Sequence, residues 1–149
     1  MNTICDRLAL DHKHCQDLFA LIETGIDDKN WDAVHAGARH FSDAIKEHIR
    51  MEENVLFPIF EETIRQGDGP VDILRREHAH LHGILDRMLA ALDRLSPADF
   101  LLHAESFALL MQQHLMKEEV LVYPLLDKAL AGRREAIVHA MTQCGRRDL

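Results

Sequence analysis

The residues most able to do chemistry here are the histidines, eleven of 149. His48 and His114 are each followed four residues later by a glutamate, Glu52 and Glu118. On an α-helix, positions i and i+4 share a face, so each pair can send an imidazole and a carboxylate to one point. His12 and His78 each stand 36 residues ahead of such a pair. Imidazole with carboxylate and without thiolate suits iron, manganese or zinc rather than copper(I) or an iron–sulfur cluster. One histidine on an apolar face is ordinarily a hydrogen-bonded core residue. A buried glutamate is harder to excuse, because an unpaired carboxylate in a core costs several kcal/mol or must take up a proton. Six such groups at matched positions point to metal ligation.

The match is a repeat. Shifting the chain by 66 residues brings Asp11-His12-Lys13-His14 onto Glu77-His78-Ala79-His80 without a gap, and His48-xxx-Glu52-Glu53 onto His114-xxx-Glu118-Glu119. Val55-Leu56-Phe57-Pro58 falls on Leu121-Val122-Tyr123-Pro124. The elements that must carry these residues read as helices. Strand signals are absent, and Gly and Pro gather at joints such as Gly67-Asp68-Gly69-Pro70 and Ser96-Pro97, where Ser96 suits an N-cap and Pro97 the first helical position. The pattern predicts helices near 3–24, 31–65, 71–94 and 97–130, with a short tail helix near 133–143. Apolar residues recur with a heptad spacing: Cys5, Leu8, His12, Cys15, Phe19 and Ile22 in the first helix, and Val71, Leu74, His78, Leu81, Leu85 and Met88 in the third. The second and fourth helices run Phe41, Ile45, His48, Glu52, Val55 and Phe107, Met111, His114, Glu118, Leu121. Every break in the four apolar seams is one of the six candidate ligands, and each falls at mid-helix. The expectation is an all-α, antiparallel up-down four-helix bundle with a short C-terminal helix. It would be a single domain over 1–149, built from two helix-pair repeats at about 3–65 and 71–131.

Composition narrows the function. The length suits one domain, and no apolar run reaches the roughly 20 residues that span a bilayer. The formal charge is −8 with no basic block beyond arginine pairs, which disfavours nucleic acid. Three scattered cysteines without a CxxC suit reduced thiols. The first residues, Met1 to Arg7, offer no signal-peptide core, so the expected location is the cytoplasm.

His48-xxx-Glu52-Glu53-xxx-Phe57-Pro58, its copy ending in Tyr123-Pro124, and the preceding Asp11-His12 and Glu77-His78 resemble the hemerythrin-like (HHE cation-binding) family. The resemblance covers residues 5–130. It implies an oxo- or hydroxo-bridged centre of two iron ions, with Glu52 and Glu118 as bridging carboxylates. His12 and His48 would serve one iron, and His78 and His114 the other. Oxygen-carrying members have a further histidine, in an HxxxH pair on the third helix. His78 and His82 supply that spacing, making His82 a seventh metal ligand by resemblance. The repeat partner of His82 is Gln16, which would leave the other iron with an open position for a small molecule. The chain departs from the oxygen carriers in placing Glu118 four residues after the fourth-helix histidine, where they have an aspartate at five.

A rival set built on Asp11-xx-His14 and Glu77-xx-His80 imitates the ferritin-like pattern. His14 and His80 lie about 200° around the helix from the seam, and the set would strand His48 and His114. Pro58 and Pro124 should kink or break their helices. Glu53 and Glu119 point about 100° away from the bridging pair and read as solvated or supporting groups. The sequence shows no nucleophile–base pair, so a binding module is expected before an enzyme. That module would bind O2, or NO, for storage, delivery or sensing, with no nucleic acid or membrane partner. The alternative is a di-iron redox enzyme or iron donor acting on peroxide, NO or damaged iron–sulfur centres.

Overall fold

A computed structural model describes residues 3–64 and 69–146, and the final residue of the second expected helix lies outside that range. The described residues contain helices and no strand. In chain order the α-helices are α1 (Ile4–Asp27), α2 (Trp31–Met51), α3 (Phe57–Ile64), α4 (Pro70–Asp93), α5 (Pro97–Lys117), α6 (Tyr123–Ala129) and α7 (Arg134–Arg146). Short π-helical turns, Glu52–Leu56 and Glu118–Val122, join α2 to α3 and α5 to α6, so two of the four bundle helices run on through them. None of the described helices is long and apolar enough to cross a membrane.

Local chemistry explains where the helices begin. The Thr3 hydroxyl accepts from the Asp6 amide at 3.0 Å while Asp6 accepts from the Thr3 amide at 3.2 Å, a capping box. Asp127, on α6, accepts from the amides of Ile4 and Cys5 at 2.9 and 3.1 Å and ties the start of α1 to α6. Asn30 caps α2 through the Ala33 amide. Ser96 occupies the N-cap position of α5 as expected, but its side chain makes no capping bond. Pro97 at the first turn removes one of the amides that would need a partner.

Of the two outcomes expected at the prolines, the break does not occur. Neither helix breaks at Pro58 or Pro124. In each, the amide just before the proline, Phe57 or Tyr123, donates to the carbonyl of the seam glutamate five residues back. The widened turn moves aside a carbonyl that the proline ring would strike in a regular helix. It also takes up one extra residue, so the heptad slips. Leu56 and Val122 are fully buried, whereas Val55 is half-buried and Leu121 is 54% exposed. The seam positions expected at Val55 and Leu121 therefore belong to their next neighbours.

Two apolar clusters fill the bundle on either side of the seam histidines. One centres on Phe41, Ile45, Leu85, Phe100, Phe107 and Met111, and the other on Leu8, Leu56, Phe57, Phe60, Tyr123 and Leu126. The tail helix α7 buries Ile137 and Met141 in the second cluster and lies against α1, α2 and the first π turn.

Candidate metal centre

Between the two clusters lie six buried polar side chains: His12, His48, Glu52, His78, His114 and Glu118. They come from α1, α2, α4, α5 and the first residues of the two π turns. The histidines meet in the pairs that the family resemblance implies. The Nε2 atoms of His12 and His48 are 3.1 Å apart, and those of His78 and His114 are 3.0 Å apart. Two sets of donor atoms each lie within 4.8 Å of one another, Glu52–His78–His114–Glu118 and His12–His48–Glu118.

The glutamates sit at the centre, both 0% exposed. Glu52 Oε1 is 3.0 Å from His48 Nε2 and 3.5 Å from His78 Nε2, and its Oε2 accepts from the Tyr123 hydroxyl at 2.7 Å. Glu118 Oε1 touches His114 Nε2 and lies 4.0 Å from His78 Nε2. Yet Glu52 Oε1 and both Glu118 oxygens accept no hydrogen bond of proper geometry. Three orphaned carboxylate oxygens in a core would each carry a desolvation penalty. A cation between the histidine pairs would remove it, so the residues present fit a metal.

Carboxylates at the rim hold the outward-facing Nδ1 atoms. His12 Nδ1 is 2.9 Å from Glu119 Oε1, His78 Nδ1 is 3.0 Å from Glu53 Oε1, and His114 Nδ1 is 2.9 Å from Glu77 Oε1. Only the shorter Asp11 approaches His48, its Oδ2 3.5 Å from an Nδ1 that makes no hydrogen bond. The three glutamates keep the Nδ1 proton in place and leave Nε2 directed inward, the tautomer a metal needs. Glu53 and Glu119, one turn-phase off the seam, thus support histidines of the opposite helix pair. Glu77 acts the same way within its own pair.

Charge is shared unevenly. Burial works to lower His78, but its contacts with Glu118 and Glu52 outweigh this and push it up to about 9. His48 is likewise raised against the pull of burial, by Glu52 and Asp11. Burial lowers both of their partners, His12 and His114. Each histidine pair therefore holds one proton more readily than two. Burial and the Glu52 carboxylate raise Glu118 well above the ordinary range, while the charged His48 is the largest influence lowering Glu52 against its burial. The thiols of Cys5 and Cys15 are pushed up to about 12 and 11 by burial, which suits an apolar role rather than a thiolate ligand.

The remaining candidates are placed differently. His82 is half-buried one turn beyond His78, and its ring nitrogens fall in neither close set. His14 and His80 are exposed, away from the centre, so the ferritin-like set is not assembled. Phe57 stacks on His78 with ring centres 5.4 Å apart, under the Arg75 guanidinium at 5.5 Å.

The family model of the hemerythrin HHE cation-binding domain matches residues 3–126 and, a second time, residues 70–143. The second match starts where the second helix pair starts, as a doubled motif would make it. No curated protein and no solved structure matches the chain.

Proposed function

The chain belongs to the hemerythrin HHE cation-binding domain family, and from that premise we propose that it is a non-haem di-iron protein that binds a small diatomic ligand, O2 or NO, for storage, delivery or sensing. The observation that carries this reading is the pair of wholly buried glutamates with three unsatisfied oxygens, set between two histidine pairs. Two carboxylates and four imidazoles match the preference of a pair of iron ions for nitrogen and oxygen donors. When bound, the iron pair would supply an exchangeable coordination position and electrons for a diatomic molecule.

The protein's own residues do the rest. His12 and His48 would hold one ion and His78 and His114 the other, with Glu52 and Glu118 supplying the carboxylates between them. His82, one turn beyond His78, would be a further ligand of the second ion if its ring turned inward. Gln16, at the matching place on α1, offers no imidazole, so the ion held by His12 and His48 would be the one left with a position for the diatomic ligand. The two apolar clusters flank the centre, and Glu119, Glu53 and Glu77 fix the rings of His12, His78 and His114.

The test is anaerobic loading with ferrous iron, followed by metal analysis and visible spectra on exposure to O2. Two irons per chain are expected, with a spectral change that reverses under vacuum. His48→Ala should lower the iron content to one or none, and iron content unchanged by it would defeat the proposal. An irreversible change would favour redox or iron-donor chemistry. His82→Gln should alter the spectrum of the loaded protein, and an identical spectrum would remove His82 from the ligand set.

A further inference from the structure

The 66-residue offset makes the α2–α4 side of the bundle equivalent to the α5–α1 side, but only the first is closed. Across it Lys46 pairs with Asp86 at 3.2 Å, and His35 and Arg39 pair with Asp93 at 3.2 and 3.4 Å. The matching positions on the other side hold Gln112 opposite Ala20, and Leu101 and Glu105 opposite Asp27. Every basic member of the straps is gone, and an acid now faces an acid. Small residues add to the gap, with Cys15 standing where the other side has Leu81. α1 and α6 pack closely, but α1 and α5 do not, and a cleft runs between them.

The cleft has two lobes of about 240 and 270 Å³ that share Phe19, Glu23 and Ala108. The inner lobe has a buried apolar floor of Cys15, Phe41, Ile45, Phe107 and Met111, and it ends at His12. The outer lobe carries Glu23, Asp27 and Glu105, all exposed and without an ion-pair partner among the described residues. Neither lobe is lined by a lysine or arginine. From His12 to Glu23 the helix rises about 16 Å, room for an extended chain of about eight carbons and its head group. A cavity of roughly 150 Å³ already holds a benzene ring, so either lobe exceeds what a diatomic molecule needs.

We propose that the α1–α5 cleft binds a small cationic amphiphile, such as a primary alkylammonium, with its chain along the apolar floor towards His12 and its charge among Glu23, Asp27 and Glu105. Floor and rim divide the two parts of such a molecule. The floor withdraws methylenes from water, each worth about fourfold in affinity. The unpaired carboxylates attract the ammonium and repel an anion. The di-iron reading enters only in what the inner end of the chain faces, and binding itself requires no metal.

Calorimetric titration of the whole protein, metal-free and iron-loaded, tests this with octylamine, octanol and octanoate. Octylamine is an ammonium ion at neutral pH, since alkylamines of this kind titrate near about 10. One octylamine per chain is expected in both forms, with octanol about fivefold weaker and octanoate weaker still. Glu105→Arg restores towards Asp27 the strap that Arg39 makes with Asp93, and should weaken octylamine about tenfold. Ala108→Trp, at the junction of the lobes, should abolish binding, and both variants should keep their iron. Failure of octylamine to bind, octanoate binding as tightly, or wild-type binding by either variant would overturn the proposal. Binding that persists in a protein unable to hold iron would leave it standing and remove the metal reading instead.

Discussion

The two central glutamates are occupied differently because one position in the repeat changes from Phe57 to Tyr123. The Tyr123 hydroxyl gives Glu52 a donor at 2.7 Å, while Phe57 stacks on His78 and gives Glu118 nothing. Removing that donor with Tyr123→Phe leaves a buried carboxylate oxygen unpaired. The metal-free protein should then lose about 1–3 kcal/mol in urea denaturation. A loss within error would mean that Glu52 has another donor. The six central residues are legible in the sequence because each interrupts an apolar seam in phase. The roles of Glu53 and Glu119 are not. Their partners lie 25 and 107 residues away, on helices of the other pair. Phase within one helix tells which face a side chain is on, and says nothing of what a neighbouring helix brings to it.

At the scale of elements, the repeat extends to turns whose left-handed residue is not a glycine. Lys29 and Leu95, one offset apart, both adopt left-handed backbone at φ 55° and 56°. The residue after each donates back to a carbonyl five residues earlier, Asn30 to Gly25 and Ser96 to Ala91, both at 2.9 Å. This is the Schellman closure, which glycine usually makes. Because Lys29 makes this closure and Gly25 lies inside the helix, α1 runs to Asp27 where the sequence suggests a stop near 24. Leu95 is 88% exposed and loses little contact on removal. Leu95→Gly should therefore stabilise the protein by about 1 kcal/mol through relief of left-handed strain, read as a rise in thermal midpoint. No rise would mean that the leucine packs in solution. Helix number, order and most boundaries follow from periodicity. The slip from Val55 to Leu56 and from Leu121 to Val122 does not, because a π turn alters the period itself.

Across the whole molecule, the metal-free fold and the metal-bound fold should answer pH oppositely. His78 is raised from 6.5 to about 9, so its contribution is complete below pH 6.5 and is lost as pH rises towards 9. The raised His48 and Glu118 push the same way, each favouring the protonated fold. Glu52, lowered, contributes above the ordinary carboxylate range and is unaffected in this window. His12 and His114, lowered by burial, cost stability only below their ordinary range. Between pH 6.5 and 9, metal-free protein should lose roughly 3 kcal/mol from His78 alone, seen as a falling thermal midpoint. Iron-loaded protein should hold steady or gain, because ligation requires unprotonated imidazoles. Parallel curves for the two forms would place the metal elsewhere. The rim carboxylates add a further consequence. Glu119 steadies His12 and Glu53 steadies His78, each reaching from one helix pair to the other. The hairpin is thus the unit of repetition in the sequence but not the unit of assembly. Either half alone would carry two histidines and a glutamate, with one ring left to swivel.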